Sequence, residues 1–154
     1  MSKRTSEQLP NVLEIANPNH LEGGDEEEDV FEGSEVDSAA VDTPATGGIT
    51  IIGDSSFLNC SSLKEIKFPK SLTSIGVSSF FNCSSLEQVD LLHTKVQELG
   101  TQAFRDCTSL REMKVPDSLQ NFGGYVFWNC SKLVPSDINL NDNAAVVAYL
   151  RSIQ

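Results

Sequence analysis

Apolar and polar positions between residues 49 and 138 return as a fixed phrase. The phrase is an apolar residue, Gly, three residues, Phe, two residues, Cys, two residues and Leu. It reads Ile52-Gly53…Phe57…Cys60…Leu63, then Ile75-Gly76…Phe80…Cys83…Leu86. It continues as Leu99-Gly100…Phe104…Cys107…Leu110 and Phe122-Gly123…Phe127…Cys130…Leu133. Successive cysteines lie 23, 24 and 23 residues apart. A period in the twenties marks a solenoid with one supersecondary unit per turn.

Within one unit, Leu63-Lys64-Glu65-Ile66-Lys67-Phe68-Pro69 predicts a strand, because Ile66 and Phe68 alternate with Glu65 and Lys67. Pro69, and Pro116 two units on, end their strands by lacking an N–H for the ladder. A shorter extended piece, Leu72–Ile75, leads to Gly76, a residue suited to a turn with positive φ. Val77–Cys83 reads as a short helical turn that points Phe80 inward. The third unit, Asp90-Leu91-Leu92-His93-Thr94-Lys95-Val96, has one extra residue and no Pro.

No single turn buries its own apolar side, so the units must stack. Stacking predicts buried columns of Leu63, Leu86, Leu110 and Leu133; of Ile66, Val89 and Met113; and of Phe68, Leu91, Val115 and Ile138. Phe57, Phe80, Phe104 and Phe127 form an aromatic spine on another wall. Adjacent strands lie about 4.8 Å apart, so outward residues also become neighbours. Lys64, Glu87 and Arg111 fall in one such column and Lys67, Asp90 and Lys114 in another, with alternating sign in both. After Ile138 the repeat decays. Asn141-Asp142-Asn143 offers helix caps, and Ala144–Ile153 predicts a helix with Val146, Val147, Leu150 and Ile153 on one face. It reads as a cap over the last rung, while no comparable cap precedes Ile49.

The phrase Gly-x-x-x-Phe-x-x-Cys-Ser-Ser-Leu-x-x-Ile-x-Phe-Pro-x-Ser-Leu-x-x-Ile resembles the BspA-like, or Treponema-type, leucine-rich repeat. The resemblance covers about residues 49–138. It implies a curved solenoid with a parallel sheet on its concave face, and adhesion or protein binding rather than catalysis. The expected architecture is a leucine-rich repeat solenoid, mainly β, with stacked parallel strands, short helical turns, a C-terminal capping helix and a disordered acidic N-terminal tail.

Charge sets the expected domain boundaries. Residues 1–47 hold 12 acids against two bases, whereas residues 48–154 hold 10 acids against nine bases. Few apolar residues accompany the acids, so residues 1–47 read as a disordered tail. Within it, Leu9–Ile15 is apolar enough for a transient helix or docking peptide, and Ser34-Glu35-Val36-Asp37 matches an acidophilic kinase site. Residues 48–140 form the solenoid of about four repeats and residues 141–154 the cap. Neither a secretory signal nor an apolar run of spanning length is read, which leads to an expectation of a cytoplasmic or nuclear protein without membrane contact.

No constellation of residues points to catalysis or a cofactor. The cysteines fall one per rung, in a line, whereas a structural zinc site needs four converging ligands. They read as buried thiols that pack as small hydrophobes. Asn59-Cys60-Ser61, Asn82-Cys83-Ser84 and Asn129-Cys130-Ser131 match the N-glycosylation pattern. Asp106 at the equivalent place in the third copy points instead to a turn role for that side chain. His20 and His93 sit apart from any nucleophile. The near-neutral solenoid lacks the basic face that nucleic acid requires.

The expected function is a non-catalytic protein-interaction module. Its candidate face is the outward strand residues Glu65, Lys67, Gln88, Asp90, Glu112 and Lys114, and its partner is an unidentified protein. The alternatives are a surface adhesin of the BspA-like type or a truncated piece of a longer array, which would self-associate weakly through an uncapped first repeat.

Overall fold

The computed structural model describes residues 48–154 and, in addition, the strand backbones at Val12–Leu13 and Ser38–Ala40. Its strands are β1 (Val12–Leu13), β2 (Ser38–Ala40), β3 (Ile51–Ile52), β4 (Glu65–Lys67), β5 (Ser74–Ile75), β6 (Gln88–Asp90), β7 (Glu98–Leu99), β8 (Glu112–Lys114) and β9 (Asn121–Phe122). One helix, α1 (Asn143–Ser152), follows them. The odd-numbered strands form one parallel sheet, in the order β1-β3-β5-β7-β9. The even-numbered strands form a second, β2-β4-β6-β8. The chain alternates between the two sheets, one visit to each per rung.

The predicted columns are the core. Leu63, Leu86, Leu110 and Leu133 are buried, as are Ile66, Val89 and Met113. Phe68, Leu91 and Val115 are buried as well, and Ile138 packs against them partly buried. The phenylalanine spine stacks nearly parallel, with ring centroids 5.0, 5.2 and 6.5 Å apart from Phe57 to Phe127. The first two spacings lie near the strand separation of about 4.8 Å, as one ring per rung requires, and the last pair is wider.

The segment between the sheets is not the expected helical turn. In each rung, the second residue after the repeat Gly and the residue before the Cys are left-handed: Ser55 and Asn59, Ser78 and Asn82, Gln102 and Asp106, Tyr125 and Asn129, all with φ between 56° and 66°. These residues interrupt a helix and turn every second N–H toward the next rung. Ser55, Phe57 and Asn59 donate to the carbonyls of Val77, Ser79 and Phe81 at 2.8–2.9 Å. The intervening N–H groups close local turns, as in Leu58 N–H to Ser55 O at 3.2 Å. The wall is therefore a third hydrogen-bonded ladder alongside the two sheets.

The repeat glycines also differ from expectation. None of Gly53, Gly76, Gly100 and Gly123 has a positive φ. Gly76, Gly100 and Gly123 are required by close approach. A Cβ on Gly100 would lie 2.6 Å from the Gly76 carbonyl carbon and the Val77 nitrogen, and one on Gly123 would lie 2.3 Å from the Thr101 nitrogen.

At the C-terminal end, the Asp142 carboxylate caps α1 by accepting from the Ala145 N–H at 3.0 Å. Val146, Val147 and Leu150 are buried on the last rung, whereas Ile153 lies just past the helix and is exposed. Asn143 donates to Gly123 O at 2.7 Å, and Arg151 donates to Pro116 O and Leu119 O at 3.1 and 2.8 Å. These side chains pin both ends of the cap.

The other end departs from the expected boundary at residue 48. Val12–Leu13 pairs with Ile51–Ile52, and Ser38–Ala40 pairs with Glu65–Lys67, in both cases parallel and in register. Two segments within the stretch expected as a tail thus extend both sheets. The sequence hid them because neither carries the Phe or Cys of the phrase. The pairing edges of β3 and β4 are occupied, so β1 and β2, and not the first full repeat, are the terminal strands of the two sheets. Leu9–Ile15, apart from Val12–Leu13, and Ser34–Asp37 lie outside the described residues.

Candidate interaction face

The three strands β4, β6 and β8 each place their middle residue, Ile66, Val89 or Met113, in the core. The flanking residues must then point outward, since successive side chains alternate across a strand. Glu65 aligns with Gln88 and Gln88 with Glu112; Asp90 aligns with Lys114. The six residues expected as a face are therefore brought together as two rows across one sheet, exposed except for the half-buried Lys114.

The electrostatics of the face are only partly self-contained. Arg111 and Glu87 pair across strands at 3.1 Å, as the alternating column predicted. In the second column the expected Asp90–Lys114 pairing is replaced. Lys114 approaches Glu112 along its own strand at 4.0 Å, and the Asp90 carboxylate accepts from the Leu92 N–H at 3.0 Å. Asp90, still exposed, bonds its own turn, which lacks the proline found in the flanking rungs. Thr94 completes the turn by donating from its hydroxyl to Leu91 O at 2.7 Å. Glu65, Lys67 and Gln88 make no side-chain hydrogen bond or ion pair among the described residues.

Two surface features were not anticipated. An open groove of about 460 Å³ crosses the sheet of odd-numbered strands, over Ile51, Gly76, Val77, Glu98, Gly100 and Asn121. Its floor is bare because the glycines there cannot carry a Cβ; the close-packing rule that explains them was the missing signal. On the turn wall, Asn82 donates to the Asn59 side chain and Asn129 to Asp106, each at 3.0 Å. The Asn of the three glycosylation-like tripeptides is thus a ladder residue in a left-handed conformation. Asp106 substitutes for it, as the sequence indicated.

The cysteines form their own line inside the wall. The Cys83, Cys107 and Cys130 thiols donate to the carbonyls of Phe57, Phe80 and Phe104 at 3.0–3.1 Å. Burial pushes the Cys60 thiol up from 9.0 to about 12, and raises Cys83 and Cys107 by the same cause. A thiol held in its neutral form is a poor nucleophile and metal ligand. Among the described residues, no three His, Cys, Asp or Glu side chains converge as a metal site. His93 rests its Nε2 against Phe68 O at 2.8 Å. No helix among them is long and apolar enough to cross a membrane.

Stacked parallel strands, one Phe and one Cys per rung, and a helical cap together define a leucine-rich repeat solenoid. The model of the BspA type leucine rich repeat region matches residues 27–149 in six copies, and the chain belongs to that family. Six copies exceed the four with the full phrase, and the match begins within the stretch expected as a tail. A leucine-rich repeat protein from Bacteroides ovatus is similar in structure, with a TM-score of 0.53 and 30% identity over 63% of this chain and 30% of its own. The T. pallidum leucine-rich repeat protein has a TM-score of 0.52 and 29% identity over 56% of this chain and 40% of its own. The chain thus spans well under half the length of either. No curated protein matches it.

Proposed function

We propose that the chain is a non-catalytic protein-interaction module that binds through the outer surface of β4, β6 and β8. The observation that carries the reading is the set of outward side chains from three adjacent strands, in register, with Glu65, Lys67 and Gln88 making no side-chain pair among the described residues. Membership in a repeat family that serves protein binding supports it, as does a core in which burial holds the Cys60, Cys83 and Cys107 thiols neutral. A rigid sheet fixes the spacing of these groups, so little ordering cost falls on binding.

The test compares the wild type with a Glu65→Ala/Gln88→Ala/Glu112→Ala variant. A partner is recovered by affinity capture and its affinity measured on both, alongside thermal melting. Loss of affinity at unchanged melting supports the face. Loss of melting assigns these residues to holding the rungs in register, and unchanged affinity moves the binding site elsewhere.

A further inference from the structure

We propose that the edge of the even-numbered sheet where β4, β6 and β8 end is a docking surface for an acidic peptide segment of a partner protein, one that carries an apolar side chain. The inference rests on the protein-interaction reading and gives it a location and a partner chemistry.

Charge is the first argument. The strand ends and the turns that follow them, residues 67–73, 90–97 and 114–120, hold Lys67, Lys70, Lys95 and Lys114 against only Asp90 and Asp117. Residues 48–154 as a whole are slightly acidic, so this edge concentrates positive charge that the rest of the solenoid lacks. Lys67, Lys70 and Lys95 are exposed and make no ion pair among the described residues. Asp90 accepts from the Leu92 N–H but stays exposed, and Lys114 lies beside Glu112, so the positive surplus of this edge rests on Lys67, Lys70 and Lys95. An acidic partner meets complementary charge here, and this speeds encounter and fixes register.

The second argument is apolar. Leu92 is 49% exposed, on the irregular turn at the centre of this edge. Its position follows from the extra residue in that rung, where Asp90 and Thr94 do the work of a proline. The turn is tied to both neighbours: His93 Nε2 lies 2.8 Å from Phe68 O, Lys95 N–H donates to Leu72 O at 3.0 Å, and Leu91 N–H donates to Lys114 O at 2.9 Å. Leu92 therefore stands on a fixed base between Lys67 and Lys114. Ile153, 60% exposed, reaches the same edge, because the adjoining Gln154 pairs with both backbone groups of Val115 at 3.0 and 2.8 Å. Apolar side chains held on a fixed base offer contact area to a partner at little ordering cost.

The probe is a short fluorescein-labelled glutamate-rich peptide with one central leucine, compared with its glutamine-rich counterpart by fluorescence anisotropy on the full chain. The acidic peptide is expected to bind, more weakly as salt rises, and the neutral one to fail. Lys67→Glu/Lys95→Glu should weaken binding at least about tenfold and Leu92→Ser about fivefold, while Lys132→Glu, exposed on another turn, should change it less than about twofold. Melting curves confirm that the variants fold. The chain's own run Asp25-Glu26-Glu27-Glu28-Asp29 has the chemistry of the probe. Tighter probe binding to Glu26→Gln/Glu27→Gln/Glu28→Gln would show that run competing for the same edge, in support of the proposal. Equal binding of the glutamine-rich peptide, equal losses from Lys132→Glu, or no binding to either the wild type or the glutamine variant overturns it. If the probe fails while Glu65→Ala/Gln88→Ala/Glu112→Ala still loses its captured partner, only this inference falls; if partner binding survives that variant as well, the face falls with it.

Discussion

The thiol of Cys107 donates to the carbonyl of Phe80 on the preceding rung at 3.1 Å, and both residues are fully buried. One repeat position thus supplies an apolar ring to the spine, and another ties each rung to the backbone of the one before. Cys107→Ala removes the donor and leaves a small void, and should destabilise the solenoid by about 1–3 kcal/mol in urea unfolding. Cys60→Ala should cost less, because Cys60 lies at the slightly open first full rung.

The same thiols set a pH dependence. Burial raises the folded pKa of Cys60 from 9.0 to about 12, and Cys83 and Cys107 move in the same direction. Above the unfolded value the unfolded chain releases protons that the folded chain retains, so the unfolded state gains. Stability from this source is complete below pH 9 and declines as pH rises toward 12. Chemical denaturation across that window should show the decline, and a chain with Cys60, Cys83 and Cys107 replaced should show less of it.

Gly100 and Gly124 separate packing from conformational freedom. A Cβ on Gly100 meets backbone at 2.6 Å, whereas one on Gly124 meets nothing within 4 Å. Gly100→Ala should cost about 1–3 kcal/mol or more through displaced backbone. Gly124→Ala, where φ is not positive, should be neutral or stabilising by up to about 1 kcal/mol. Thermal melting of the two variants distinguishes them directly.

Much of this fold was legible because its core repeats literally. Phe57, Phe80, Phe104 and Phe127 announced a spine, and the alternation around Ile66, Val89 and Met113 gave strand register and the outward face. The misreadings have physical causes. Gly-x-x-x-Phe-x-x-Cys has near-helical spacing, yet left-handed residues such as Gln102 and Asp106 cannot be told by type from helical ones. Glycine has two common uses, and a single chain does not say that Gly76 faces the Ile52 carbonyl rather than a positive φ. Strand-end charges were paired by register alone, which misses that Asp90 is closer to its own turn's N–H than to any lysine. Leu92 reads as one more leucine until the turn that exposes it is seen.

Arg111 and Glu87, paired across β6 and β8 with both side chains about half exposed, test how far surface charge holds the rungs together. A double-mutant cycle with alanine should give about 0.2–1 kcal/mol of coupling, shrinking as salt rises. A larger, salt-insensitive coupling would make the charge columns structural and weaken the case for the face as a binding surface.

The parallel pairing of Val12–Leu13 with β3 and of Ser38–Ala40 with β4 makes the N-terminal stretch part of the solenoid. An acidic tail with no fixed contacts would be dispensable: deleting residues 1–47 would leave melting unchanged. Pairing predicts the reverse. Deletion strips the hydrogen-bond partners from Ile51–Ile52 and Glu65–Lys67, and exposes two strand edges that invite association with other chains. The shortened chain should melt at lower temperature, and its sedimentation should become concentration-dependent. Amide exchange locates the effect, because protection should fall first at β3 and β4 and leave β7 and β8 as they were. Ala39→Pro in the full chain offers a milder version, since proline is poorly accommodated inside a paired strand. It should loosen β4 while β3 remains paired with β1.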